Sequence, residues 1–95
     1  MARGAKPEHV RTIDLHGFRV ETALRHLEQE LTYCRARRIS PVLVVTGRGW
    51  GSPGGRPVLA PRVRAWLEGP EGRALGVVEC RPVARGGALS VRLGS

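Results

Sequence analysis

The sequence has little cysteine, little lysine, few aromatic residues and no long apolar run. Two cysteines, Cys34 and Cys80, are too few for the disulfide framework of a small secreted domain. No apolar run approaches the roughly 20 residues that a membrane span needs, and the first ten residues lack the apolar block of a signal peptide. These absences argue against a disulfide scaffold and a membrane protein, and we expect a cytoplasmic protein with no membrane partner.

Arginine is the residue in excess. The 95 residues carry 16 Lys and Arg against 8 Asp and Glu, a formal net charge of +8, and Lys6 is the one lysine. An apolar content of 41% is too high for a disordered polyelectrolyte, so a packed core is expected. Guanidinium groups bind phosphate through paired hydrogen bonds, and cations release counterions from a phosphate backbone. The net charge favours a nucleic-acid partner, whereas the preference for arginine over lysine is also typical of a GC-rich genome.

Apolar periodicity divides the chain into a tail and a single α/β domain. Residues 1–11 are expected to form a flexible basic tail. Four short runs rich in apolar and β-branched residues predict strands, at 12–15, 41–45, 76–81 and 88–93. Apolar residues recur at helical spacing in two segments, 20–38 and 57–68. Gly69 and Pro70 are the expected stop of the second helix.

The order β-α-β-α-β-β predicts a two-layer α/β sandwich with a four-stranded mixed sheet. Helical crossovers favour parallel pairing of the first three strands, and the short turn at Pro82 and Gly86-Gly87 favours antiparallel pairing of the last two. So short a chain cannot cover both faces of such a sheet, so both helices are expected on one face. The continuous apolar run at 41–45 predicts a strand that is buried on both faces.

The first candidate constellation is Asp14 and His16, at the end of the first strand. Strand alternation directs Ile13 and Leu15 toward the helices and the carboxylate and imidazole toward the open face. Open α/β sheets bind ligands at the carboxyl ends of their strands, and a histidine beside a carboxylate can act as general base or acid. The alternative is a surface histidine near a solvated aspartate. The two side chains are also candidate metal ligands, without a second cluster at ligand spacing.

The second constellation is the glycine-rich loop 46–55. Gly47 and Gly49 bracket Arg48, so the backbone N–H groups can approach an anion while the guanidinium clamps a phosphate. A third glycine is missing from the dinucleotide-binding pattern, and no Gly-Lys-Ser/Thr occurs, which excludes a P-loop. A flexible connector is the alternative interpretation of this loop.

Two aromatic residues have alternative roles. Trp50 lies between glycines, so it can stack on a nucleobase or fold back over the loop as a lid. For Phe18, a core staple is favoured over a base platform. Trp66 has helical spacing and is expected in the core.

Taken together, these motifs resemble the small MutS-related (Smr) domain family. The family's Leu-Asp-Leu-His-Gly box stands here as Ile-Asp-Leu-His-Gly at 13–17, and its His/Thr-Gly-x-Gly turn as Thr-Gly-Arg-Gly at 46–49. The Ser-Pro-Gly-Gly run of the stand-alone bacterial members is found at 52–55, and the glycine-rich entry to the last strand at 86–91. The resemblance extends over about 12–93, nearly the whole chain.

The sequence departs from the family pattern at three points. The glycine turn before the last strand is shorter than the usual form. Arg48 replaces a frequent lysine and keeps the cation. Thr46 stands where a histidine is frequent, which removes a second acid/base from the site.

The resemblance implies a fold like the C-terminal domain of bacterial translation initiation factor three, with 12–95 as a single Smr-like domain. It also implies nucleic-acid binding, often with endonuclease activity on DNA or RNA. Asp14 and His16 would be the catalytic pair. The residues expected to bind phosphate or nucleic acid are Thr46, Gly47, Arg48, Gly49, Trp50, Arg56, Arg85, Gly86 and Gly87.

Two other functions stay open at this point. One is a non-catalytic module that binds nucleic acid or the ribosome with the same surface. The other is a protein-interaction domain whose charge is incidental. We expect a monomer with no resident cofactor, and the alternative is a divalent cation, Mg or Mn, used in cleavage.

Overall fold

The computed structural model describes residues 9–47 and 59–94. Its elements in chain order are β1 (Arg11–Asp14), α1 (Val20–Ala36), β2 (Val42–Val45), α2 (Leu59–Glu68), α3 (Pro70–Ala74), β3 (Val77–Val83) and β4 (Ala88–Leu93). A 3-10 turn, Ala84–Gly86, joins β3 to β4. The predicted β-α-β-α-β-β order is confirmed, with α3 as an addition.

α1 forms because its apolar residues recur on one side of a helix. Its fully buried residues are Ala23, Leu27, Leu31 and Cys34. Glu21 in the first turn and Arg35 in the last complement the helix dipole. Burial of each leucine stabilises the fold by about 1.5–3 kcal/mol, so α1 is held chiefly by its packing on the sheet.

The sheet has the strand order β1-β2-β4-β3. β1 pairs with β2 in parallel, and β4 pairs antiparallel with both β2 and β3. The prediction that the first three strands pair in parallel is therefore wrong for the third, because β4 lies between β2 and β3. The antiparallel pairing of the last two strands is confirmed.

Composition explains why β3 takes the edge of the sheet. It contains Pro82, which cannot donate a ladder hydrogen bond, and the charged residues Glu79 and Arg81. Proline and charge are tolerated at an edge and disfavoured in a central strand. In β4, by contrast, Ala88 to Val91 are all buried, which suits a central position. The predicted third strand ended at Arg81, whereas β3 continues through Pro82 to Val83.

One face of the sheet carries the hydrophobic core. The strand residues in this core are Ile13, Leu15, Val42, Val44, Leu89 and Val91, and they form one cluster with the buried residues of α1 and α2. The two-layer arrangement with the helices on one face is confirmed. The expectation that β2 is buried on both faces is wrong, because its Leu43 and Val45 face the open side and are only half-buried.

The element boundaries differ from prediction at the start of β1 and directly after α2. β1 begins at Arg11, a residue that the sequence assigned to the tail. α2 ends at Glu68 as expected, but Pro70 then starts α3 instead of a loop. Proline suits the first turn of a helix because the backbone N–H that it lacks would have no partner within the helix there. Within 9–47 and 59–94, no helix is long and apolar enough to cross a membrane.

Candidate functional site

Asp14 and His16 are positioned by the end of β1 and the turn that follows it. The N–H of Phe18 donates to the carbonyl of Leu15 over 3.2 Å, which closes a four-residue turn. Gly17, its third residue, has φ +82°, a conformation that side chains with a Cβ rarely adopt. The turn reverses the chain directly after His16 and holds this residue at the open edge of the sheet.

The Asp14 carboxylate orients the imidazole of His16. Its Oδ1 lies 2.6 Å from His16 Nδ1 and accepts a second hydrogen bond, of 3.1 Å, from the His16 backbone N–H. The side-chain hydrogen bond from His16, followed by the backbone one, lowers the pKa of the Asp14 carboxyl group below its ordinary value of 3.8. An ionised carboxylate only accepts hydrogen bonds, so Nδ1 carries the proton and the Nε2 of the neutral ring keeps a lone pair.

Both side chains are accessible, with 69% of the His16 side chain and 53% of the Asp14 side chain exposed. Nε2 takes part in none of the hydrogen bonds found within 9–47 and 59–94. The imidazole is therefore oriented on one side and open to a ligand on the other, the arrangement that general acid/base chemistry requires.

Gly47 packs directly against this pair. A Cβ added to Gly47 would lie 3.4 Å from the Cβ of His16, and its φ is +81°. The backbone N–H groups of Thr46 and Gly47 both donate to the carbonyl of Gly87, at 3.1 and 3.0 Å. The three sequence motifs thus meet at one edge of the sheet, at His16, Gly47 and Gly87.

The same hydrogen bonds correct part of the expected phosphate contact. The Gly47 N–H was expected to hold a phosphate, but it is bound to Gly87 and serves the fold. Thr46 as a whole is 5% exposed, and its hydroxyl donates to the Gly47 carbonyl over 3.3 Å. Thr46 and Gly47 therefore shape the site rather than present donors to a ligand.

Arg85 lies on a strained turn beside these contacts. Ala84 and Arg85 have φ of 53° and 56°, and Gly86 has φ of 88°. The left-handed conformation costs about 1–2 kcal/mol for each residue with a Cβ. The turn is held by the Gly87 N–H, which donates to the Ala84 carbonyl over 3.0 Å. Strain of this kind is often stored at functional sites, and here the strained turn carries the exposed residue Arg85.

The comparisons with known proteins agree with this arrangement. The model of the Smr domain family matches residues 13–93, which include all three motifs. The chain belongs to the Smr domain family. The crystal structure of the Smr domain of Thermus thermophilus MutS2 is similar, with a TM-score of 0.71 and 26% sequence identity over 90% of this chain and 100% of that one. The search of curated protein sequences gave no match.

Four expected nucleic-acid-binding residues of this Smr domain, Arg48, Gly49, Trp50 and Arg56, lie outside the described residues. The interpretations of Trp50 as a stacking residue or a lid therefore stay predictions. Trp66 is half-buried and packs against the core, as expected.

The sequence favoured a core position for Phe18, and the structure differs. Phe18 is 41% exposed, and its ring contacts that of His26 edge to face, with centroids 5.7 Å apart and an interplanar angle of 83°. A hydrophobic staple would join Phe18 to the fourth residue of α1, which is Ala23. Alanine offers too little surface for that contact, and this feature of the sequence could have indicated an exposed ring.

The open face also carries a histidine to which sequence reasoning gave no role. His9 Nε2 lies 2.9 Å from the Oγ of Ser90, so the two side chains share a hydrogen bond. Ser90 in β4 is the register partner of Leu43, and Leu43 in turn pairs with Thr12 of β1. The side chain of His9 thus reaches past β2 and ties the start of the chain to the middle of the sheet.

Charge is distributed unevenly around the Smr fold. Within the described residues, ion pairs join Arg11 to Glu30, Arg64 to Glu68 and Arg92 to Glu79. In the same part of the chain, no ion pair involves Arg85. No group of three or more His, Cys, Asp or Glu side chains is close enough there to hold a metal ion.

Proposed function

We propose that this Smr domain hydrolyses or transesterifies phosphodiester bonds in nucleic acid, with His16 as the general base and acid. Smr domains generally bind nucleic acid and are associated with nuclease activity. The observation that supports the proposal most strongly is the 2.6 Å contact between Asp14 and His16, which leaves Nε2 available at the meeting point of the three motifs.

In the proposed reaction, His16 Nε2 removes a proton from the attacking oxygen, which is water or, in RNA, the ribose 2′-hydroxyl. The new P–O bond forms while the bond to the leaving oxygen breaks, and protonated His16 then returns its proton to that oxygen. Asp14 stabilises the charged imidazolium and fixes its orientation. Arg85, together with Arg48 and Arg56 in the loop, would neutralise the phosphate.

Among the described residues of this site, Asp14 is the one carboxylate that could bind a divalent cation. Asp14 already uses one oxygen to bind His16, and Mg²⁺ commonly completes its coordination with water and substrate phosphate oxygens. No step of the proposed mechanism is assigned to a metal.

The second candidate is a module that binds nucleic acid or the ribosome without cleaving. Thr46 favours it, because the position that often carries histidine in this family holds a buried threonine. His16 would then be the one acid/base among the described residues of the site. The two candidates share a surface and differ in chemistry.

Cleavage by Asp14 and His16 variants distinguishes the two candidates. The substrates are single-stranded, branched and duplex DNA and RNA, each with Mg²⁺, Mn²⁺ or a chelator. We expect His16→Ala to lower kcat by about 10²- to 10⁴-fold, the usual contribution of general acid/base catalysis, and Asp14→Ala to lower it less. His9→Ala removes an imidazole from the same face and serves as the matched control.

Undiminished cleavage by both site variants would overturn the assignment, because the activity would then come from elsewhere. Salt-sensitive binding without cleavage under any metal condition would support the binding module.

A further inference from the structure

Phe18 has the properties of a ligand-binding aromatic residue. Two aromatic side chains stand among the exposed large apolar residues of the described chain, Phe18 and Tyr33. The Tyr33 ring is flanked by the guanidinium groups of Arg11 and Arg37, 4.9 and 4.8 Å from its centroid. Phe18 contacts a single ring, that of His26.

The contact with His26 leaves surface on Phe18. In an edge-to-face pair, at most one face of each ring is covered by the partner. At least one face of Phe18 is therefore not covered by His26, which agrees with the 41% exposure of this residue.

The position of Phe18 connects it to the chemistry at His16. The two residues are separated by Gly17 within one hydrogen-bonded turn. Adjacent Cα atoms are about 3.8 Å apart, so those of His16 and Phe18 are no more than roughly 7.6 Å apart. This is the scale of one nucleotide unit, and the exposed Arg19 next to Phe18 adds a cation for the backbone.

We propose that Phe18 stacks on an unpaired nucleobase next to the phosphate that His16 engages. This inference rests on the proposed nucleic-acid function and specifies its substrate class, a single-stranded or locally unpaired strand. A base within a regular duplex has both faces covered by its neighbours, and exposing one costs a few kcal/mol. A base in a single strand, loop or gap can stack on an aromatic ring without that cost.

The test is a double-mutant cycle between Phe18 and one base, measured by binding so that it does not depend on cleavage. The protein variants are wild type, Phe18→Ala, Phe18→Trp and the matched control Tyr33→Ala. The probes are short single strands of DNA and RNA in which one abasic position is moved along the sequence, and a fully paired duplex of the same length. Thermal unfolding of each variant verifies that it is folded.

We expect Phe18→Ala to weaken single-strand binding by about 5- to 150-fold, the range found when one stacked base loses its aromatic partner. Phe18→Trp should bind single strands about as tightly as wild type, and Tyr33→Ala should weaken binding less than Phe18→Ala does. At one abasic position, wild type should lose as much affinity as Phe18→Ala loses on the intact strand. On that abasic strand, Phe18→Ala should bind little more weakly than wild type, since the mutation and the missing base remove the same contact. Duplex binding should be nearly unaffected by Phe18→Ala.

Additive effects at every abasic position, or equal losses on duplex and single strand, would overturn the role of Phe18 while leaving the proposed function intact. No salt-sensitive binding to any probe would overturn both. Binding that behaves as expected, without cleavage, would support Phe18 and contradict the nuclease.

Discussion

Two histidines on the open face of the same sheet are used in opposite ways. His16, at the carboxyl end of β1, shares its Nδ1 with Asp14 and leaves Nε2 accessible. His9, before β1, uses Nε2 to bind Ser90 in the middle of the sheet. Ser90 is 8% exposed, whereas 53% of the Asp14 side chain is exposed. His16 is oriented so that its Nε2 can bind a ligand, whereas the Nε2 of His9 is already used in a hydrogen bond within the fold.

The difference supports our proposal that the edge, and not the open face as a whole, is the functional region. The edge brings together a carboxylate–imidazole pair, two glycines in left-handed conformation and a strained arginine turn. In the middle of the face, the side chains of His9 and Ser90 satisfy one another. The following predictions test this contrast between edge and middle, beginning with the largest expected effect.

Removal of an arginine from the edge should weaken nucleic-acid binding more than removal of one from elsewhere on the face. Arg85 is exposed on its turn, whereas Arg92 lies on the open face 3.1 Å from Glu79. We expect Arg85→Ala to weaken binding by up to about tenfold at low salt and to reduce the slope of log K against log salt by about 1. Fluorescence anisotropy at four salt concentrations measures both quantities.

Arg92→Ala removes the same charge and is the control. Its effect should be smaller, because the Arg92 guanidinium is already engaged by Glu79 and is less available to a phosphate. Ala84→Gly changes the same left-handed turn without removing a cation and should leave the salt slope unchanged. Equal losses for Arg85→Ala and Arg92→Ala would mean that binding depends on net charge alone.

The two histidines should also differ in their contributions to stability. We expect His9→Ala or Ser90→Ala to lower the free energy of unfolding by about 0.5–1.5 kcal/mol, the usual net worth of one hydrogen bond. The double variant should lose little more than either single one, because both remove the same bond. Urea unfolding at neutral pH measures these values.

His16→Ala is the matched comparison, and it should cost less stability than His9→Ala since its partner Asp14 stays hydrated when the imidazole is removed. A larger loss for His16→Ala would contradict the division between a functional edge and a structural middle.

The sequence predicted the position of Asp14 and His16 because the relevant rule is local. Strand alternation alone separates Ile13 and Leu15 from the two polar side chains, and in the structure both apolar residues are buried. The helix faces follow in the same way from apolar spacing. In the structure, the carbonyl of Gly87 joins the second and third motifs, and Gly47 packs against His16 of the first.

The features that the sequence did not predict are those for which separate segments compete for one position or one hydrogen-bonding partner. The insertion of β4 between β2 and β3 is decided by which strand suits an edge, and Pro82 is compatible in sequence with either a turn or an edge strand. The backbone N–H groups of Thr46 and Gly47 could bind a phosphate only if no carbonyl accepted from them. In the structure the carbonyl of Gly87 accepts from both. Phe18 lies outside the core because Ala23, its expected partner on α1, offers too little apolar surface.

The smallest expected effect is the titration of Asp14 itself. The His16 side chain is the first cause of the lowered Asp14 pKa, so His16→Ala should move the titration midpoint of this carboxyl up toward 3.8, as followed by NMR of its side-chain carbon. A lowered carboxyl pKa contributes stability that is present above the unfolded-state pKa and is lost as the pH falls through the folded-state pKa. The stability difference between wild type and His16→Ala should therefore shrink as the pH falls below about 3.8. His9→Ala should leave the Asp14 midpoint in place, because its partner is Ser90, and a midpoint that His16→Ala does not move would contradict the orientation of the imidazole by Asp14 on which the proposed chemistry depends.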